Sequence, residues 1–373
     1  MEEYSMKIIM IDYFLPNSIY SLELCEKLSV DNEVLLICKD NYQPNGQKHN
    51  VTKILSVLHS SSSNILQAFV LYIKDLKKID NQIKLFKPDV VHLQGVQHIF
   101  WETLLLRKNR RIVGKYFFTA HNILSHESKK GEKASLNKWY KNFDGIIVHN
   151  EASKRMLRQV ADYAGHVYVI PHGSYDTYRE FHNIKKNSQN KTVFLQFGII
   201  RDYKGIDILL EAISKLPQEI KERTHFIIAG ALRKKYYDFN INKFVEDYAI
   251  EDCVELIIRR IDDEEVPMLF SRADCCLFPY RHIYGSGALL MAYTFNKPVI
   301  VSSLPVFEEE TNYGKTGIVF EKENSDSLSN AIIEFCEMTI ERKAKFSAEI
   351  EHLVTSKYNW TLSAKETVKC YHS

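Results

Sequence analysis

The chain has 373 residues, 45% of them hydrophobic and 26% charged, a globular composition too long for one ordinary core and suited to two domains. No run approaches the roughly 20 apolar residues of a membrane span, and the short acidic start lacks the basic flank of a signal peptide, so a cytoplasmic setting is expected. The net charge of +2 is uneven: through Ile170, 18 Lys and 5 Arg oppose 8 Asp and 9 Glu, a net +6, and the remainder carries −4. The basic first half is either a solvated surface or one that draws an anionic partner or lipid.

Short apolar runs alternate with amphipathic stretches, which reads as repeated βα units on parallel sheets. Strands are predicted at 7–11, 33–38, 89–93, 113–119, 144–149 and 167–170, and again at 192–197, 225–229, 253–258, 274–278, 298–301 and 317–320. Between the two sets, 174–191 is polar, rich in Tyr, Asn and Lys, and is the predicted linker. A helix over 205–216 places Ile206, Leu209, Leu210, Ile213 and Leu216 on one face. A second over 286–295 is apolar almost all round and is predicted buried, with Asn296 and Pro298 as its stop. The seven cysteines contain no CxxC pair and suit buried thiols in a reducing compartment.

Three strand ends carry chemistry. In FGIIRDYKG, 197–205, Arg201 and Lys204 occupy a loop between strand and helix, where parallel sheets bind ligands; a fork and a point charge there suit a diphosphate, the alternative being two solvated cations. In FPYRHIYGSGALLMA, 278–292, the N–H groups of Gly285, Ser286 and Gly287 open a helix whose dipole favours an anion, and Arg281 adds charge; alone, this is also how a plain capped helix reads. Two such loops in one half make a phosphate site the better reading of both. In FFTAHNILSHE, 117–127, His121, Asn122, His126 and Glu127 cluster past an apolar run. Their spacing is not H-E-x-x-H and no third ligand follows, so no metal is expected.

In order and spacing these pieces resemble the retaining GT-B glycosyltransferases of group 1 and family 4, which include bacterial polysaccharide mannosyl- and glucosyltransferases. The resemblance runs through DVVHLQG (89–95), TAHNILSHE (119–127), DGIIVHNEASKRML (144–157), VIPHG (169–173), FGIIRDYKGIDILLEAI (197–213), FIIAG (226–230), ADCCLFPYRHIYGSGALLMA (273–292), KPVIVSS (297–303), GIVF (317–320) and YNWTLSAKETVKCY (358–371). It implies an α/β fold of two Rossmann-like domains facing across a cleft. Residues 1–175 would take the acceptor and 176–356 the nucleotide-sugar donor, and a last helix in 357–373 would return to the first domain. It further implies transfer of a hexose from a nucleoside-diphosphate sugar to a glycan or lipid-linked glycan, with retention and with neither metal nor cofactor. Arg201 and Lys204 would stabilise the leaving diphosphate beside His121, completing the catalytic group. Asn17, Asn122, His126, Glu127, His172, Arg281 and Glu309 would line the donor and acceptor cleft.

The chain departs from the family pattern in places. The loop after the first strand, 14–18, holds no glycine pair; Ile199 stands where an Arg is usual; Ile283 and Met291 replace a glutamate pair. That loss keeps a second reading open, a catalytically weak relative that binds a glycan or partner protein. A sugar-nucleotide oxidoreductase or epimerase is disfavoured because no G-x-G-x-x-G follows the first strand. No nucleic-acid partner is expected. Weak contact with an anionic membrane, at the inner face, is expected through Arg107, Lys108, Arg110, Arg111, Lys129, Lys130 and Lys133.

Overall fold

The computed structural model describes residues 5–15, 20–40, 51, 53–59, 64–124, 131–175, 178, 191–233 and 239–373. Asn17, His126, Glu127, Lys129, Lys130 and most of the predicted linker lie outside them. The chain divides into two compact units, Met1–Gly173 with Tyr358–Ser373, and Ser174–Lys357. Each is a parallel sheet clothed by helices, a Rossmann-like layout.

In the first unit the elements run β1 (Lys7–Ile11), α1 (Tyr20–Leu28), β2 (Glu33–Lys39), β3 (Lys53–Leu58), α2 (Ile65–Phe86), β4 (Val90–Leu93), α3 (Ile99–Asn109), β5 (Lys115–Thr119), α4 (Glu132–Tyr140), β6 (Gly145–Val148), α5 (Glu151–Val160) and β7 (His166–Val169). All seven strands are parallel, in the order β3-β2-β1-β4-β5-β6-β7. Strands such as Ile8–Ile11 and Val90–Leu93 are buried throughout, as a parallel sheet covered on both faces requires. Six strands answer to the predicted runs. The seventh, β3, was not predicted: it is an edge strand following a long polar stretch.

The second unit runs β8 (Thr192–Phe197), α6 (Ile206–Ser214), α7 (Gln218–Glu222), β9 (Thr224–Ala229), α8 (Ile241–Asp247), β10 (Val254–Ile257), α9 (Val266–Arg272), β11 (Cys275–Phe278), α10 (Gly287–Thr294), β12 (Val299–Ser302), α11 (Pro305–Glu310), β13 (Gly317–Phe320), α12 (Ser325–Glu337) and α13 (Ile340–Ser356). Its six parallel strands follow the order β10-β9-β8-β11-β12-β13. Helix α6 buries Ile206, Leu209, Leu210 and Ile213 against Phe194 and Phe226, whose rings stack 5.1 Å apart. Ser286 caps α10, accepting from the Leu289 N–H, and Leu289 through Thr294 are all buried.

The last helix, α14 (Trp360–His372), is capped by Asn359 and packs on α1. Three anchors fix it there. Trp360 is buried and its ring closes on Gly173, where an added Cβ would meet it at 2.3 Å. The Ser363 hydroxyl donates to the Pro171 carbonyl at 2.8 Å. The Tyr371 hydroxyl lies 2.6 Å from Nδ1 of buried His92 on β4. The seven cysteines are free thiols, six of them buried. No helix among the described residues is long and apolar enough to cross a membrane.

Truncating Trp360 to Ala removes a large side chain from a closed site and is expected to destabilise the first unit by about 3–5 kcal/mol. Denaturant unfolding read by hydrogen exchange should show the loss in β1, β4 and α1, with the second unit's protection unchanged.

Candidate functional site

Both sheets reverse their strand order once, at β1/β4 and at β8/β11, and loops leaving such a point diverge to open a crevice at the carboxyl ends of the strands. In the second unit, the two loops at this crevice are stitched together. The Arg281 N–H donates to the Tyr203 carbonyl at 2.8 Å. Gly205, at φ +64°, lies so close to Pro279 that a Cβ would meet its carbonyl oxygen at 2.0 Å. Only glycine satisfies both demands.

Lys204 sits between these loops, at the end of a single 3-10 turn, and is buried. Its Nζ donates to the Tyr280 hydroxyl at 2.7 Å and weakly to the Phe197 carbonyl at 3.4 Å, and stands 4.7 Å from the Tyr280 ring centroid. Both hydrogen-bond partners are neutral. Burial first, and the nearby Arg201 charge second, lower the Lys204 ammonium to about 7. Gly285 borders open space, whereas a Cβ on Gly287 would stand 2.6 Å from the Tyr175 hydroxyl.

In the first unit, four consecutive strands, β4 to β7, are followed by a row of polar side chains. His121 Nε2 lies 3.0 Å from the Gln94 side-chain oxygen, and His121 Nδ1 lies 3.0 Å from His149 Nε2. His149 Nδ1 faces the Ile170 carbonyl at 3.0 Å and must donate to it. His149 Nε2 therefore accepts in the neutral ring, and His121 donates to it from Nδ1. A second proton on His121 would point at the Gln94 oxygen and keep every bond in the row. Burial opposes that charge: it pushes His121 well below its usual range, His149 to about 4 and His172 to about 3, with neighbouring imidazoles adding to it at His121 and His172. Tyr20 is packed by all three rings, at centroid distances of 4.8 Å to His121, 5.2 Å to His149 and 4.9 Å to His172. At the β1/β4 crevice, buried Asp12 holds the turn by accepting from the Phe14 N–H at 2.6 Å and from the Ser21 hydroxyl at 2.6 Å. There Phe14 presses on Gly95, where a Cβ would meet its ring at 2.2 Å.

With this geometry in view, the comparisons with known proteins are direct. Residues 18–174 match the family described as Glycosyltransferase Family 4, and 177–352 match Glycosyl transferases group 1. The chain belongs to the group 1 and family 4 glycosyltransferases. It is similar to a GDP-mannose:glycolipid 4-beta-D-mannosyltransferase of Xanthomonas campestris, 22% identical over 49% of this chain and 48% of that one. A glycogen synthase of Thermodesulfovibrio yellowstonii is 25% identical over 45% of this chain and 32% of its own. The similarity thus spans about half the length, or less, of these curated relatives. Among solved structures, sucrose-phosphate synthase of Thermosynechococcus elongatus superposes with a TM-score of 0.76 at 17% identity, covering 98% of each chain. Anabaena HepE, solved with UDP and glucose, gives 0.76 at 15% identity, covering 98% of this chain and 99% of its own. These likenesses establish the GT-B class of fold.

Within this glycosyltransferase the structure corrects several sequence expectations. For Lys204 the alternative of a solvated loop cation falls, because Tyr280 and Phe197 enclose it. Arg281 brings no net charge to the crevice: it grips Asp207 through both terminal nitrogens, at 3.1 and 2.5 Å. Glu310 is buried beneath α10 and burial raises its carboxyl to about 8. Glu309, expected to line the cleft, is half-buried one position before it. Ile283 and Met291 are buried apolar residues. His172 closes the histidine row, its Nδ1 2.6 Å from the Gly173 carbonyl oxygen, and Asn122 is exposed beside His121. Among the described residues no group of His, Cys, Asp and Glu could hold a metal ion. Sequence reading missed Gln94, His149, Tyr280 and Glu310; the aromatic after FP and the histidine closing DGIIVH were the available signals.

Lys204 disfavours its own fold. Its ammonium titrates near 7 when folded against 10.5 when exposed, so between those values the unfolded chain holds the extra proton and wild-type stability rises with pH. Lys204→Met is therefore expected to melt higher than wild type, with the full advantage below about pH 7 and a fading one towards pH 10.5. Melting curves across that range check the sign.

Proposed function

We propose that this chain transfers a hexose from a nucleoside-diphosphate sugar to a glycan or lipid-linked glycan, with retention, in bacterial surface polysaccharide synthesis at the cytoplasmic face of a membrane. One observation carries the reading: a buried ammonium, Lys204, held by neutral partners at the β8/β11 crevice. Such a cation is poorly compensated until an anion arrives, and a diphosphate supplies one. The relatives support the donor class, since one is named for GDP-mannose and a glycolipid and HepE was solved with UDP.

In the reaction, the bond from the anomeric carbon to the diphosphate breaks as the acceptor hydroxyl bonds to the same face of that carbon. The hydroxyl proton passes to the departing phosphate oxygen. Lys204 and Arg201 stabilise the charge developing there, which is the electrostatic mode of catalysis. Within the first unit, His121, neutral and held by His149, is a hydrogen-bonding group and not a strong base. Neither metal nor cofactor is required. A second reading, a catalytically weak relative that binds a glycan or partner, is favoured by Ile283 and Met291 in place of the glutamate pair.

Lys204→Ala is expected to lower turnover on the order of a hundredfold, through a contact that strengthens in the transition state. Arg201→Ala should act in the same direction more weakly. Turnover equal to wild type in Lys204→Ala would leave the binding reading ahead.

Donor affinity of the wild type should be flat below about pH 7 and weaken above it, because the anion binds the charged ammonium and must then recruit a proton. Titration calorimetry with nucleotide sugars, comparing wild type and Lys204→Ala, reads that slope; the variant should lack it.

A further inference from the structure

The starts of α2 and α3 carry a cluster of exposed apolar side chains in the first unit. Ile65 is 87% exposed, Phe100 65% and Trp101 38%, and Leu66, Phe69 and Leu104 are exposed with them. The two helices pack together, and the rings join the patch: Phe69 to Trp101 at 6.0 Å and Phe100 to Trp101 at 5.1 Å. Isolated exposed hydrophobes need no explanation, but a contiguous cluster of this size marks an interaction surface.

The charges around it are one-sided. Along α3, the stripe Phe100, Leu104, Arg107 passes from apolar to basic at helical spacing and continues to Arg111 just beyond the helix; along α2, Leu66 and Val70 lead to Lys74 and Lys77. Every carboxylate of the two helices is turned inward. Asp75 is buried against His59 and Lys78, Asp80 against Lys84, Lys108 and Asn109, and Glu102 accepts from the Gln97 and His98 N–H groups. Two of the cations expected to meet a membrane are thus occupied: Lys108 by Asp80, and Arg110 by a bidentate pair with Asp144.

We propose that the α2–α3 face is a membrane-docking surface that seats its aromatic and aliphatic side chains in the interface of an anionic bilayer, with Lys74, Lys77, Arg107 and Arg111 at the headgroups. The apolar cluster and not the basic charge alone is the anchor. A second copy of the chain is disfavoured as the occupant: twofold pairing would set the same cations against each other with no exposed carboxylate on either helix to answer them. The proposal draws its purpose from the lipid-linked acceptor reading, yet docking is measured without donor or acceptor, so the two fail separately.

The chain carries its own probe. Of its three tryptophans, Trp139 and Trp360 are fully buried and Trp101 is exposed. Vesicles of phosphatidylcholine with phosphatidylglycerol should shift Trp101 emission to the blue, and brominated acyl chains should quench it; pure phosphatidylcholine should do so more weakly. Phe100→Ser and Leu66→Ser, both at exposed positions, should each weaken partitioning about tenfold while leaving melting and nucleotide binding unchanged. Arg107→Gln with Arg111→Gln should flatten the salt dependence and keep residual quenching. Absence of quenching in mixed vesicles at low salt overturns the proposal. So does a lipid-free dimer that Phe100→Ser dissociates, which would assign the face to a second copy.

Discussion

The reversal of strand order in each sheet is the constraint from which the chemistry follows. Right-handed crossovers send the chain to opposite sides at β1/β4 and β8/β11, so a crevice opens at the strand ends there. What fills each opening differs. In the second unit, Gly205 and the Tyr203 carbonyl lock the two loops together, and Lys204 is held between them by a phenol 76 positions away. The cation is therefore placed before any ligand arrives, and little reorganisation remains for the reacting complex. In the first unit, Asp12 ties down the turn and Phe14 covers Gly95.

The two crevices divide the chemistry. The second offers cationic groups in Lys204 and Arg201, the lysine close to neutralisation at about pH 7. The first offers neutral imidazoles: His149 is committed to the Ile170 carbonyl, which sets the tautomer of His121 through the bond between them. Burial keeps the row uncharged, so hydroxyl-bearing ligands suit it better than anions. Tyr20 and Trp360 pack the rings from the side and limit their rotation.

How much of this the amino-acid order discloses depends on the distance over which a contact acts. Central parallel strands are buried on both faces and show as mostly apolar runs, so β1, β4, β8 and β11 are legible directly even with His92 and Gln196 inside two of them. The edge strand β3 is not, because only part of it needs to be apolar. Arg201 and Lys204 are legible as a pair of cations in a strand-to-helix loop. Their environment is not: Tyr280, which encloses Lys204, and Asp207, which takes up Arg281, each act across more than 70 residues. Local pattern finds the groups; only the fold decides which of them are already engaged.

The return of α14 to the first unit has a consequence for synthesis. Residues 1–173 leave the ribosome first, but their core is completed by Trp360 and Tyr371, which emerge after the whole of Ser174–Lys357. At translation rates of about 5–20 residues per second, that interval lasts roughly 10–40 s. Throughout it, Tyr20 and His92 lack the partners that cover them in the finished protein. The second unit, contiguous in the chain, can fold as it appears. The later half of the polypeptide is thus poised to mature before the earlier half, and the nascent first unit is the stage at which chaperones would find exposed apolar surface.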